Sequence, residues 1–156
     1  MKCRLIAAGT RLPDWVNTGF REYQKRLRSP LVLELHEIAV ATRRAGENPQ
    51  RAVLREGADM LGAVGRDDYV VALEINAKSM STEQLSAWLA QRMRDGRPLA
   101  MLIGGPDGLA PQCRERADHS WSLSALTLPH ALVRVLVAEQ LYRAASLLAG
   151  HPYHRA

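Results

Sequence analysis

Residues 98–109 read PLAMLIGGPDGL. Pro98 to Ile103 are apolar without a break, the pattern of a strand buried on both faces. Pro98 stands at the first position, where a strand tolerates proline. Gly104, Gly105, Pro106 and Gly108 then force a sharp turn. A buried strand ending in a glycine-rich turn fits an open parallel sheet, in which ligands bind at the carboxyl ends of the strands.

Working outward, four more stretches read as strands: residues 2–8 (KCRLIAA), 31–38 (LVLELHEI), 69–75 (YVVALEI) and 120–124. Between them lie helical patterns. The first runs from Asp14 to about Arg28, with Val16, Phe20, Tyr23 and Leu27 in one apolar stripe. The second spans Pro49 to Val64. The third opens with a capping box, Ser81 and Gln84, and runs to about Arg94 before Gly96. A short helix covers Pro111 to Ala117, and the last covers 131–149. The order β-α-β-α-β-α-β-α-β-α predicts an α/β fold, a parallel sheet sandwiched by helices. No linker or composition shift divides the chain, so residues 1–156 are expected to form a single domain.

The bulk numbers bound the function. The chain has 156 residues, 47% hydrophobic and 24% charged, as a globular domain does. Cys3 and Cys113 are far apart, which suggests neither a zinc site nor a disulfide framework and fits a reducing cytoplasm. The start, MKCRLIAAGT, is too short and too quickly polar for a signal peptide. The run 131–149 contains Arg134, Glu139, Gln140 and Arg143, so it is not a membrane span. Net charge is +5, and residues 1–66 carry all of it, with 12 Lys/Arg against 7 Asp/Glu. Such asymmetry points to an anionic partner, of which RNA is the commonest. Arg21, Lys25 and Arg28 form a basic ridge on the first helix, and Arg43 and Arg44 follow in a loop.

SLSALTLPH, residues 122–130, occupies the same sheet edge as IGGPDG, one strand further on. It has no glycine, and no charge before His130, so it does not suit phosphate; neither GxGxxG nor a P-loop is present. Its backbone N–H and C=O groups need partners if buried, and a purine edge offers both kinds. The plainer reading of the two loops is a tight turn and a buried connector.

The last helix is apolar most of the way round, through Val133, Leu136, Val137, Leu141, Ala144, Ala145 and Leu148. One side is expected to meet the sheet and another a second copy of the chain, giving a homodimer. Arg134, in its first turn, opposes the helix dipole, so a purely structural benefit is not obvious. Glu139 and Arg143 have i,i+4 spacing and can pair. The tail His151-Pro152-Tyr153-His154-Arg155 carries groups that stack on bases and contact phosphate. Its HxxH spacing has no acidic or cysteine companion, so no metal is expected.

Taken together, MLIGGPDGL, SLSALTLPHALVRVLVAEQLYRA, HPYHR and AAGTRLPDWVNTGFREYQKRL resemble the bacterial RlmH family. Its members are 23S rRNA (pseudouridine-N3)-methyltransferases of the SPOUT (α/β-knot) class. The resemblance covers the whole chain and is least distinctive over residues 49–64. It implies a carboxyl-terminal trefoil knot, with knot and cofactor site at about residues 100–150, and a homodimer. It implies S-adenosylmethionine as cofactor, held by Leu73, Gly104, Leu123, Ser124, Ala125, Leu126, Thr127 and Leu128. The implied substrate is a pseudouridine in a large-subunit rRNA stem-loop, methylated on assembled ribosomes. A phosphate-free cofactor with a cationic sulfur suits the neutral loop. For the chemistry, His154 is the candidate base, Arg155 or Arg134 offsets charge on the flanking carbonyls, and Tyr153 stacks on the nucleobase as the tail closes. The alternatives are a knot methyltransferase acting at another RNA site and a non-catalytic ribosome-binding factor.

Overall fold

The computed structural model describes residues 1–155; the His154 side chain and Ala156 fall outside that description. Five strands, β1 (Lys2–Ala8), β2 (Val32–Ile38), β3 (Tyr69–Leu73), β4 (Leu99–Ile103) and β5 (His119–Trp121), form one sheet in the order β2-β1-β4-β3-β5. Every neighbouring pair is parallel. The helices are α1 (Asp14–Gln24), α2 (Pro49–Ala63), α3 (Thr82–Asp95), α4 (Pro111–Arg116) and α5 (His130–Leu148), and a 3-10 turn (Pro152–His154) closes the tail.

Alternation along the strands sorts the core into two layers. Cys3, Leu5 and Ala7 of β1 join Leu99, Met101 and Ile103 of β4 under α1, α3 and α5. Ile6, Ala8, Ala100 and Leu102 face the other way, against Val53 and Met60 of α2 and Cys113 of α4. All five residues of β4 are buried, as their unbroken apolar run requires.

The helix boundaries follow local chemistry. The Asn48 side chain caps α2, accepting from the Gln50 N–H at 3.0 Å, with Pro49 in the first turn, where its missing donor costs nothing. The Ser81–Gln84 capping box forms in both directions, and Gly96 ends α3 at φ 70°. Helix α1 stops at Gln24, short of the expected Arg28. The N–H groups of Arg26 and Leu27 donate at three-residue spacing, to Tyr23 O and Gln24 O, so the helix tightens and unwinds ahead of Pro30. β5 is also shorter than expected: after Trp121 only the bridge from Ser79 to Ser122 continues it.

α5 is covered more by its own chain than its composition suggests. Gly19 of α1 lies against Val135, and the buried Ser86 hydroxyl of α3 donates to the Ala144 carbonyl at 3.1 Å. The strand order has a consequence for the site. β5 is an edge strand, yet His130, at the start of α5, sits beside Gly9 at the end of β1. Loop 122–129 therefore travels back across the carboxyl ends of β3 and β4 and roofs that edge.

Candidate active site

Beneath this roof is a cavity of about 320 Å³. Its walls come from the ends of β3, β4 and β5, the GGPDG turn, loop 122–128 and the first turn of α5. Of the residues expected at the cofactor, Leu73, Gly104, Leu123, Ser124, Leu126, Thr127 and Leu128 line it, and Ala125 does not. Ile103, Leu109, Trp121 and Val133 complete the apolar walls.

The loop is shaped by its serines. Ser122 N–H donates to Lys78 O at 3.1 Å, and its hydroxyl lies 3.1 Å from Ile75 O and 3.0 Å from Ser124 O. The Ser124 hydroxyl accepts from Leu126 N–H at 3.0 Å, turning Leu126 outward to 72% exposure. Among the described residues, the main-chain groups of Leu123, Thr127 and Leu128 make no hydrogen bond within the protein. They leave a row of free donors and acceptors along the cavity wall.

Gly104 is needed by the turn itself, as the sharp, close-packed turn expected there requires. A Cβ on it would stand 2.4 Å from the Gly108 carbonyl carbon and 2.6 Å from Leu109 N. The glycine makes room for the loop's own returning backbone, and it also lines the cavity. Arg43 fixes the same turn from outside, donating to Asp107 at 2.8 and 3.0 Å and pairing with the buried Glu56. Arg43 therefore belongs to the scaffold rather than to a free basic ridge. Lys25 is likewise paired with Glu22, whereas Arg21 has no partner among the described residues.

The cavity lining holds one carboxylate, Glu74, and no Lys or Arg. Arg114 donates to Glu74 at 2.6 Å from outside the cavity. Sequence reading passed over Glu74, although it follows Leu73 at the end of a buried strand, where ligand-facing residues are found.

Arg134 is 1% exposed and lies under the site rather than on the cavity wall. It donates to Glu37 at 2.6 Å, Gly9 O at 2.6 Å and Ala8 O at 3.2 Å. The tail docks further along α5. The Tyr153 hydroxyl lies 3.3 Å from Glu139 Oε1, its ring packs 4.6 Å from Tyr142, and the Arg143 guanidinium sits 5.1 Å from the ring centroid. Burial first, then Tyr23 and Glu139, push the Tyr153 hydroxyl well above its usual pKa. Arg155 is exposed, and the His154 side chain lies outside the described residues.

A family model described as a predicted SPOUT methyltransferase matches residues 1–154. The chain belongs to the SPOUT methyltransferase family. It is 54% identical, over the full length of both chains, to a protein of Alkalilimnicola ehrlichii named ribosomal RNA large subunit methyltransferase H. It is 50% identical, over 99% of each chain, to the protein of the same name from Hahella chejuensis. Solved structures with the same fold include TrmJ from Z. mobilis, with TM-score 0.54 and 17% identity, covering 90% of this chain and 69% of that one. A probable methylase family protein from Haemophilus influenzae aligns with TM-score 0.55 and 14% identity, over 99% and 70%.

For a SPOUT methyltransferase the methyl donor is S-adenosylmethionine, and the cavity suits it on three counts. The free main-chain edge of Leu123, Thr127 and Leu128 matches a ring with donors and acceptors on one side. The apolar walls match flat contact. A lining with a carboxylate and no basic side chain tolerates a sulfonium.

Proposed function

We propose that this chain transfers a methyl group from S-adenosylmethionine to N3 of a pseudouridine in large-subunit ribosomal RNA, working as a homodimer. The observation that carries the reading is the cavity itself. Its roof loop presents an unpaired backbone edge, in a chain half identical end to end to large-subunit rRNA methyltransferases.

The cofactor supplies a methyl on a positively charged sulfur. What the protein adds is placement, which supplies roughly 7–11 kcal/mol when reacting atoms are held in line. Leu73, Gly104, Leu123, Ser124, Leu126, Thr127 and Leu128 hold the donor. N3 carries a proton at neutral pH, and a base placed at it typically contributes about 10²–10⁴-fold. His154 fills that role in this proposal, with Arg155 offsetting charge on the flanking carbonyls. Arg134, spent on Glu37 and two carbonyls, positions α5 instead of touching substrate.

The docked tail supports a dimer. Glu139 lies nine residues beyond His130, about 14 Å along α5. A tail held there by Glu139 is far from its own cavity, so the tail that closes each site comes from the partner. Nucleoside mass mapping of rRNA from cells lacking this protein tests the function. One methylated pseudouridine should disappear and return with the gene; an unchanged methylation map would refute it.

A further inference from the structure

A second cavity, of about 280 Å³, lies beside the first over the ends of β1 and β2. Gly9, Thr10, Arg11 and Leu12 form one side, Ala39 and Val40 another, and His130 the third. His130 also lines the first cavity, so one imidazole is a wall of both. The cavities approach again at Gly105: a methyl built there would lie 3.9 Å from Val40 Cγ2.

The floor is fixed. Gly9 N–H donates to Ile38 O at 2.7 Å, and its carbonyl accepts from the buried Arg134. Its φ of 118° favours glycine, and a side chain would meet Arg134 and His130. Bare backbone therefore faces the cavity. The polar groups around it are free: neither the Thr10 hydroxyl nor the Arg11 guanidinium has a partner among the described residues.

The charges of the two cavities differ. The first holds one carboxylate, Glu74, already paired with Arg114, and no basic side chain; the second holds an unpaired arginine and no carboxylate. A cationic donor suits the first, and an anionic nucleotide suits the second. A volume near the lower end of small-molecule sites, about 300 Å³, accommodates one pyrimidine nucleotide and not a longer segment.

We propose that this second cavity is the seat of the target nucleotide, a uracil-class base between Val40, Leu12 and the Gly9 backbone, its phosphate or carbonyl oxygens met by Arg11 and Thr10. This rests on the methyltransferase reading above. It places the acceptor base next to the donor cavity, with His130 lining both.

Two measurements test it. In the first, pseudouridine 5′-monophosphate is titrated into the 15N-labelled protein with S-adenosylhomocysteine present. The amide signals of Thr10, Arg11 and Val40 should shift, and Val40→Phe, which fills the cavity, should abolish the shifts. No shift at these residues overturns the subsite, whatever the enzyme methylates. In the second, variants are assayed on large ribosomal subunits. Val40→Phe should bind S-adenosylmethionine within about twofold of the parent yet transfer methyl about 100-fold more slowly. Arg11→Glu, which adds no bulk, should raise KM for subunits about tenfold with a smaller change in kcat. Parental turnover by both variants, or lost cofactor affinity in Val40→Phe, overturns the proposal. If the parent methylates no RNA while the nucleotide still shifts these amides, the functional reading falls and the subsite stands.

Discussion

Arg134 donates a 2.6 Å hydrogen bond to the carbonyl of Gly9, joining the first turn of the last helix to the end of the first strand. The same guanidinium reaches Glu37 on β2, so one buried cation ties three elements at the sheet edge. Arg134→Met should therefore destabilise the fold. Glu37 is partly exposed and can be rehydrated, but two buried carbonyls lose their donor, which costs about 2–4 kcal/mol in urea unfolding. Glu37→Gln, which keeps the carbonyl bonds, should cost about 1 kcal/mol.

Gly104→Ala sets a Cβ against backbone that cannot move aside. The GGPDG turn must open, and the cavity wall opens with it. Calorimetric titration should show S-adenosylmethionine affinity lowered by about tenfold or more, a loss of at least 1.4 kcal/mol. Unchanged affinity would mean that the turn does not shape the cofactor site.

Removing residues 151–156 should leave cofactor affinity within about twofold while methyl transfer falls about 100-fold or more. Mixed dimers give the sharper result. A tail-less subunit with an intact cavity, paired with a Gly104→Ala subunit that keeps its tail, should recover activity, because one complete site forms between them. Inactive mixed dimers would show that each tail serves its own cavity.

His119 packs against Trp88 with its Nε2 buried and unpartnered. Burial, then the nearby Arg92, hold its pKa below the usual 6.5. Below pH 6.5 the unfolded chain takes up this proton before the folded one does. Stability from neutral His119 is therefore full above pH 6.5 and is lost as pH falls toward the folded value. Melting temperatures between pH 7 and pH 5 should fall less steeply in His119→Phe than in the parent.

Strands and helices were legible because each is a local pattern: the unbroken apolar run of β4, the stripe of α1, the Ser81–Gln84 box. The cofactor loop was legible from what it lacks. Relationships across sequence were not. Nothing near Arg134 signals that its partners are Gly9 and Glu37, and nothing in ATRR signals that Arg43 braces Asp107 64 residues away. Gly104 was recognised as part of a sharp turn, and the folded turn adds which atoms approach it, those of Gly108 and Leu109. Glu74 and His130 stood at the ends of recognised motifs, and the strand order is what aims them into cavities. The early end of α1 lies in the tightened bonds of Arg26 and Leu27, which no local pattern in the sequence marked.

The most direct test uses purified protein, S-adenosylmethionine labelled in its methyl group, and large ribosomal subunits from cells lacking this chain. The account predicts about one labelled methyl per subunit, in the large rRNA and on N3 of one pseudouridine, with no transfer to small subunits or tRNA. No incorporation into the large subunit, or label on another RNA instead, would contradict it.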